Sequence, residues 1–366
     1  MRKCPCASGG EAVMSEVTIK DIARLCGVGV STVSRAINDH PDINPATKKQ
    51  IQETIEQYGY IPNNSARNLK RTESNAVAIL VKGITNPLFS SMIQVLDEKL
   101  KRFKFDMLLQ HVNFNEDEVA VALELIKEKR LKGIIFLGLN YCHPEGELEK
   151  INVPFVLGTV GSFFEDEDLS RYSHVALDDE KESYKAVEYL IRKGHRNIAI
   201  ISAEERDSSV GRLRMQGYQR ALADYQIPEK KELICPVSDE IEHYTMTNGY
   251  MTAKKLIESG VPFSAVFAFS DTIAAGVYRA LHEAGLRIPE DVSVVGFDGS
   301  ELGDYLQPKL TSVAQPVSKM ADAIINQLYD MIDGRCGNRT QIFEGKLLEK
   351  ESVRQIEHKS RQKQMR

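Results

Sequence analysis

Apolar side chains between Thr18 and Tyr58 recur at three- and four-residue steps, the period of helices that bury one face. Ile19, Ile22, Ala23 and Leu25 follow Thr18, a residue suited to an N-cap, and predict a short helix. Cys26-Gly27-Val28 breaks the pattern as a tight turn, after which Val30, Val33 and Ile37 resume it in a second helix. A third helix is punctuated by Asn44 and Pro45 at its start and Gly59 at its end, with Ile51, Ile55 and Tyr58 along one face. Residues 16–62 therefore read as a small all-α domain, and the polar stretch 63–75, of weak helical character, as a hinge helix and linker.

Beyond Ala76 the texture changes to apolar runs of strand length alternating with longer helical patterns, the signature of βαβ units and a parallel sheet. Nine strands are expected, near Val77–Val81, Asp106–Gln110, Gly133–Leu137, Phe155–Leu157, His174–Leu177, Asn197–Ile201, Glu232–Cys235, Ala265–Ala268 and Ser293–Phe297. Nine is too many for one small sheet. The expected architecture is α/β: a helical headpiece, then two doubly wound lobes over residues 76–356, with a seam near 158–173 and later crossovers. Residues 1–15 and 357–366 are expected to be disordered, the former including an extension ahead of Met14.

With 366 residues, 42% hydrophobic and 27% charged, the chain has enough apolar mass for a large core, which disfavours disorder, collagen and coiled coil. The longest apolar runs are of strand length, so no membrane span is expected, and the N-terminus lacks the apolar stretch of an export signal. A cytoplasmic location follows as an expectation. Six scattered cysteines form no C-x-x-C pair and read as reduced thiols; Cys4 and Cys6 alone make a poor metal site, so neither metal nor cofactor is expected. The net charge of -5 argues against a uniformly basic nucleic-acid binder but leaves room for one small DNA-reading domain on an acidic body. No G-x-S-x-G elbow, P-loop or H-E-x-x-H motif is present, so an enzyme is not expected.

Ala23 and Gly27 sit where two steeply crossing helices need a small residue and a glycine turn. The second helix then presents Val30, Ser31, Ser34 and Arg35 outward. Arginine can bond guanine O6 and N7 together, valine can meet a thymine methyl, and small hydroxyls allow approach to phosphates. The alternative is a helical hairpin that binds no nucleic acid.

Thr18-Ile-Lys-Asp-Ile-Ala-Arg-Leu-Cys-Gly-Val-Gly-Val-Ser-Thr-Val-Ser-Arg-Ala-Ile-Asn38 resembles the DNA-binding signature of the lac repressor / gal repressor family. Tyr60-Ile-Pro-Asn63 with Ala66-Arg-Asn-Leu69 resembles that family's hinge helix. Asn86-Pro-Leu-Phe89, Gly194-His-Arg-Asn-Ile-Ala199 and Pro289-Glu-Asp-Val-Ser-Val-Val-Gly-Phe-Asp298 are similar to its core motifs, so the likeness runs from Thr18 to Val353.

The resemblance implies a homodimer whose two headpieces read the halves of a pseudo-palindromic double-stranded DNA operator. It assigns Val30, Ser31 and Arg35 to bases, and Thr18, Thr32, Ser34, Asn38, Thr47, Tyr60 and Asn63 to phosphates. Ala66 and Leu69 fall to the minor groove, with Leu69 the apolar wedge at the central step. Gly29 departs from the family's usual Ser at the start of the recognition helix, a loss of only a few tenths of a kcal/mol at an N-cap.

The core resembles periplasmic sugar-binding proteins, with a ligand at the carboxyl ends of the strands. The likeness assigns effector contacts to Arg214, Asp298, Tyr244, Asn86, Phe89, Ser270, Thr159 and His111, an Arg donor and an Asp acceptor suiting a polyol. Ser270 stands where Asn is common, Thr159 replaces a polar or charged contact, and the acidic run Asp178–Glu182 departs from the usual pattern. The implied function is a transcriptional repressor controlled by a sugar-like effector. The alternatives are a corepressor of purine or nucleoside type, or a core that answers to a protein partner.

Overall fold

The structure is a computed structural model that describes residues 17–37, 39–60, 75–139, 146–160, 171–202, 210–238 and 240–356. Residues 1–16, 61–74 and 357–366, and with them the expected hinge and both termini, lie outside the described residues. The chain divides into two compact units, 1–73 and 74–366.

The first unit contains α1 (Ile19–Leu25), α2 (Val30–Ile37) and α3 (Pro45–Tyr58). The Asp21 carboxylate accepts from both the backbone N–H and the hydroxyl of Thr18, fixing the start of α1. Gly27 turns the chain at φ +64°, a conformation that glycine adopts without strain. Asn44 caps α3 by accepting from Ala46 N at 2.9 Å, and Gly59 closes it in the left-handed region. Ile22, Val33, Ala36 and Ile51 meet in the core with Ala23, Cys26 and Tyr60.

The second unit holds two six-stranded sheets. Strands β1 (Ala76–Lys82), β2 (Asp106–Val112), β3 (Gly133–Leu137), β4 (Phe155–Gly158), β5 (Ser173–Leu177) and β11 (Thr340–Phe343) form the first, in the order β11-β5-β4-β3-β1-β2. Strands β6 (Ile198–Ser202), β7 (Ile234–Pro236), β8 (Ala265–Ala268), β9 (Ser293–Asp298), β10 (Thr311–Ala314) and β12 (Lys346–Leu348) form the second, in the order β12-β10-β9-β8-β6-β7. Every pairing is parallel except β10 with β12. Central strands such as β3 and β8 are buried along their whole length, which explains why they read as unbroken apolar runs.

Helices α4 (Pro87–Arg102), α5 (Glu118–Lys129) and α11 (Val317–Ile332) pack with the first sheet. Helices α6 (Asp179–Arg192), α7 (Gly211–Asp224), α8 (Met246–Glu258) and α9 (Asp271–Glu283) pack with the second, and the short α10 (Leu302–Tyr305) follows β9. Backbones of α8 and α9 touch where Gly249 meets Gly276: a Cβ on Gly276 would lie 2.2 Å from the Met246 carbonyl oxygen.

The seam differs from expectation. The chain does not leave the first lobe at 158–173, because β5 still pairs with β4; it crosses after Leu177, where α6 begins packing on the second lobe. It crosses back between β10 and α11, and again between β11 and β12, so three connections join the lobes. No described helix is long and apolar enough to cross a membrane.

Candidate functional site

The lobes enclose a cleft of about 910 Å³, counting its open mouth, at the carboxyl ends of their strands. Its floor is a buried polar network centred on Arg214 of α7, which is 4% exposed. Arg214 Nε donates to Asp179 Oδ1 at 2.8 Å, and its Nη1 donates to the Phe269 carbonyl. Nη2 lies 3.8 Å from Asp298 Oδ1, and the guanidinium sits 3.7 Å from the centroid of the Phe297 ring. Asp298 accepts from Gln315 Nε2 at 2.8 Å on one oxygen and from Asn86 Nδ2 at 3.0 Å on the other. Asn86 also caps α4, so one side chain both starts a first-lobe helix and bonds a second-lobe carboxylate. Nearby, Thr85 Oγ1 donates to Glu242 Oε2 at 3.2 Å, again from lobe to lobe.

Burial governs the ionisation of this floor. It pushes Asp179 up to about 6 against the pull of Arg214, and raises Asp298 despite the same guanidinium. Behind the floor, Asp271 is pushed up to about 7 by burial and by the charge of Asp298, although Ser312 and Ser300 hydrogen-bond its carboxylate. Two cleft residues also carry backbone strain: Thr159 has φ +63° and Asp298 φ +105°. A β-branched residue in the left-handed region and an Asp outside the ordinary regions each cost about 1–3 kcal/mol, a pattern that concentrates at functional sites.

Of the eight residues assigned to an effector, Arg214, Asp298, Tyr244, Asn86, Phe89 and Thr159 line this cleft. Phe89 is shared with the first-lobe core, and the Thr159 hydroxyl donates to the Gly158 carbonyl at 2.6 Å. Ser270 and His111 are corrections. Ser270 is fully buried outside the lining, where its hydroxyl caps α9 by accepting from Ile273 N and shares a hydrogen bond with Thr272. His111 is exposed on β2, the outermost strand of its sheet. Sequence reasoning missed Asp179, Gln315, Lys82, Phe114 and Glu242, which also line the cleft. The acidic run around Asp179 was visible as a departure from the family pattern, and that was its signal.

In the helical unit, Val30, Ser31 and Arg35 lie exposed along one face of α2, while Val33 and Ala36 turn into the core. Val30 is 42% exposed, an apolar side chain left in water at the start of a helix. Thr18 is exposed, and Thr32, Ser34 and Thr47 are half-buried. Tyr60 departs from its expected surface role: its ring is 9% exposed and belongs to the core cluster. Asn38, Asn63, Ala66 and Leu69 lie outside the described residues.

Comparison with known proteins gives these two sites a family. Residues 18–63 match the bacterial regulatory proteins of the lacI family, and residues 187–353 match the periplasmic binding protein-like domain. The HTH-type transcriptional regulator MalR of Clostridium butyricum is 38% identical over 92% of this chain and 99% of its own length. The ribose operon repressor of Escherichia coli K12 is 30% identical over 86% of this chain and 93% of its own. Among solved structures, the complex of the transcriptional regulator CelR with cellobiose superposes with a TM-score of 0.68 at 28% identity, covering 92% of this chain and 99% of that one. An outward-facing recognition helix, a cleft between two parallel-sheet lobes and full-length similarity converge: the chain belongs to the lacI family of bacterial regulatory proteins, DNA-binding transcriptional regulators rather than enzymes.

Proposed function

We propose that the chain acts in the cytoplasm as a homodimeric repressor whose affinity for a pseudo-palindromic operator is set by a sugar or sugar derivative in the interlobe cleft. The observation that carries this is the cleft itself. The polar groups of Arg214, Asp298, Asn86 and Gln315 share its lining with the aromatic side chains of Phe89, Phe114 and Tyr244. Sugars present hydroxyls at their rim and C–H groups on their faces, and this lining offers partners for both. The names of two relatives support the ligand class, one a ribose operon repressor and the other captured with cellobiose.

On the DNA side, Val30, Ser31 and Arg35 read base edges in the major groove. Thr18, Thr32, Ser34, Asn38, Thr47 and Asn63 hold phosphates. Leu69, beside Ala66, wedges the minor groove; its role rests on the sequence resemblance alone. The bonds Asn86 to Asp298 and Thr85 to Glu242 tie the lobes together, so a ligand that replaces them changes the angle between lobes. Coupling is reciprocal: operator DNA weakens an inducer by the factor with which the inducer weakens DNA.

The test is a thermal-shift panel of sugars, nucleosides and purines, followed by operator affinity with and without each hit. At about 100 times its Kd a ligand stabilises by about 2.7 kcal/mol, enough for a shift of several degrees. A sugar that also weakens operator binding supports the repressor reading. A purine that strengthens it replaces that reading with corepression, and silence across the panel points to a protein partner.

A further inference from the structure

The charged groups of the cleft narrow the chemical class of its ligand. Among the described residues two cations line it, Lys82 and Arg214, and each is already paired with carboxylates. Lys82 is 9% exposed; its ammonium donates to Glu118 Oε1 at 3.0 Å and to the Glu116 carbonyl at 2.9 Å. Arg214 faces Asp179 and Asp298 and is stacked against Phe297, with little of its surface open to a ligand. A further carboxylate, Glu242, stands by Thr85 at the lobe-to-lobe contact. Among the described residues, four carboxylates, Glu118, Asp179, Asp298 and Glu242, thus stand against two cations.

Hydrogen-bond chemistry points the same way. An ionised carboxylate only accepts, with about two lone-pair directions on each oxygen. Asp298 receives one donor on each oxygen, Gln315 on one and Asn86 on the other. The unfilled positions call for ligand groups that donate. A hydroxyl donates and accepts, an ammonium donates only, and a doubly ionised phosphate only accepts.

We infer that this cleft selects an uncharged or amino-substituted sugar and rejects phosphorylated and carboxylated ones, with Glu242 the side chain that enforces the choice. The inference rests on the sugar-effector reading and makes it specific. At the effective dielectric of a partly buried site, a like charge within about 8 Å weakens binding at least tenfold.

The experiment uses the full chain and matched ligand sets: glucose, glucosamine and glucose 6-phosphate; ribose and ribose 5-phosphate; maltose and cellobiose. Dissociation constants come from isothermal titration. The expected result is a neutral sugar that binds, its phosphate at least tenfold weaker, and an amino analogue at least as tight as its parent. In Glu242→Gln the ratio of phosphate to neutral dissociation constants should narrow several-fold, a change of preference that general weakening of the cleft would not produce. Phosphate binding equal to or tighter than neutral binding overturns the inference while sparing the sugar reading. A ratio unchanged in Glu242→Gln removes Glu242 as the enforcing group. Binding by no member of any set sinks the sugar reading and the inference with it.

Discussion

Replacing Arg214 with Met would remove the one guanidinium between two buried carboxylates while keeping much of the side-chain volume. Both Asp179 and Asp298 are almost fully buried, so neither can recover the lost partner from water. Breaking a buried ion pair from one side typically costs about 3–5 kcal/mol. The lost stacking on Phe297 and the lost bond to the Phe269 carbonyl act in the same direction. For a unit of this size that corresponds to a fall in melting temperature of about 5–8 °C.

The penalty should also depend on pH in a set direction. A carboxyl whose folded pKa lies above its unfolded value lowers stability as pH rises between the two, and no further above the higher one. With arginine present Asp179 has its midpoint at about 6 and its effect levels off roughly one unit above that. Without it the folded pKa climbs, so the variant continues to lose stability toward pH 8 after the parent's Asp179 has levelled off. The chain has no tryptophan, so far-ultraviolet circular dichroism in urea at pH 6 and pH 8 is the suitable assay. Combining Arg214→Met with Asp179→Asn and Asp298→Asn should restore most of the loss, because the buried charges leave together. A single-variant cost under about 1 kcal/mol at pH 8, or the same cost at both pH values, would refute the reasoning.

Other expectations concern separate parts of the molecule. Arg35→Ala should cost about 1–3 kcal/mol on a selected palindrome and little on random DNA at the same salt, measured by fluorescence anisotropy; equal losses would remove it as a base reader. Asp271 is pushed up to about 7 from an ordinary 3.8, so it should take away stability as pH rises from about 4 to about 7. Asp271→Asn should flatten that part of a plot of melting temperature against pH, and an unchanged slope would exclude it as the source. Gly276→Ala should destabilise by about 1–3 kcal/mol in spite of alanine's better helix propensity, since the new methyl would meet the Met246 carbonyl. A variant as stable as the parent would show that α8 and α9 separate at little cost.

The helical unit was legible because each of its boundaries is written by a local signal. Thr18 with Asp21, Gly27, Asn44 with Pro45, and Gly59 all act on residues next to them. Seven of the nine expected strands were legible for a related reason: strands buried on both faces read as continuous apolar runs, whereas the edge strands β2 and β7 are largely exposed or half-buried. The strands that escaped notice, β10, β11 and β12, are three or four residues long, and β11 alternates exposed with half-buried positions. Their pairing depends on neighbours far away in the chain, and no short window contains that information. The same holds in the cleft. Arg214 and Asp298 sit in recognisable motifs, whereas Gln315 follows an unnoticed strand and Asp179 gains its meaning only from the guanidinium that folds against it. Ser270 misled because a polar residue at a strand-to-helix corner serves equally as a cap, which is how the structure uses it.

The last two strands have a consequence for biosynthesis. Strand β11 completes the outer side of the first sheet from residues 340–343, and β12 completes the second from residues 346–348. A ribosome therefore cannot deliver a finished first lobe and then begin the second, although domains of most large proteins emerge and fold in turn. Both lobes wait on the same final stretch of message. A transcript cut short before codon 340 would yield a chain with an open strand edge on β5 and another on β10, two templates for mispairing, and the cell would meet it as a substrate for proteolysis.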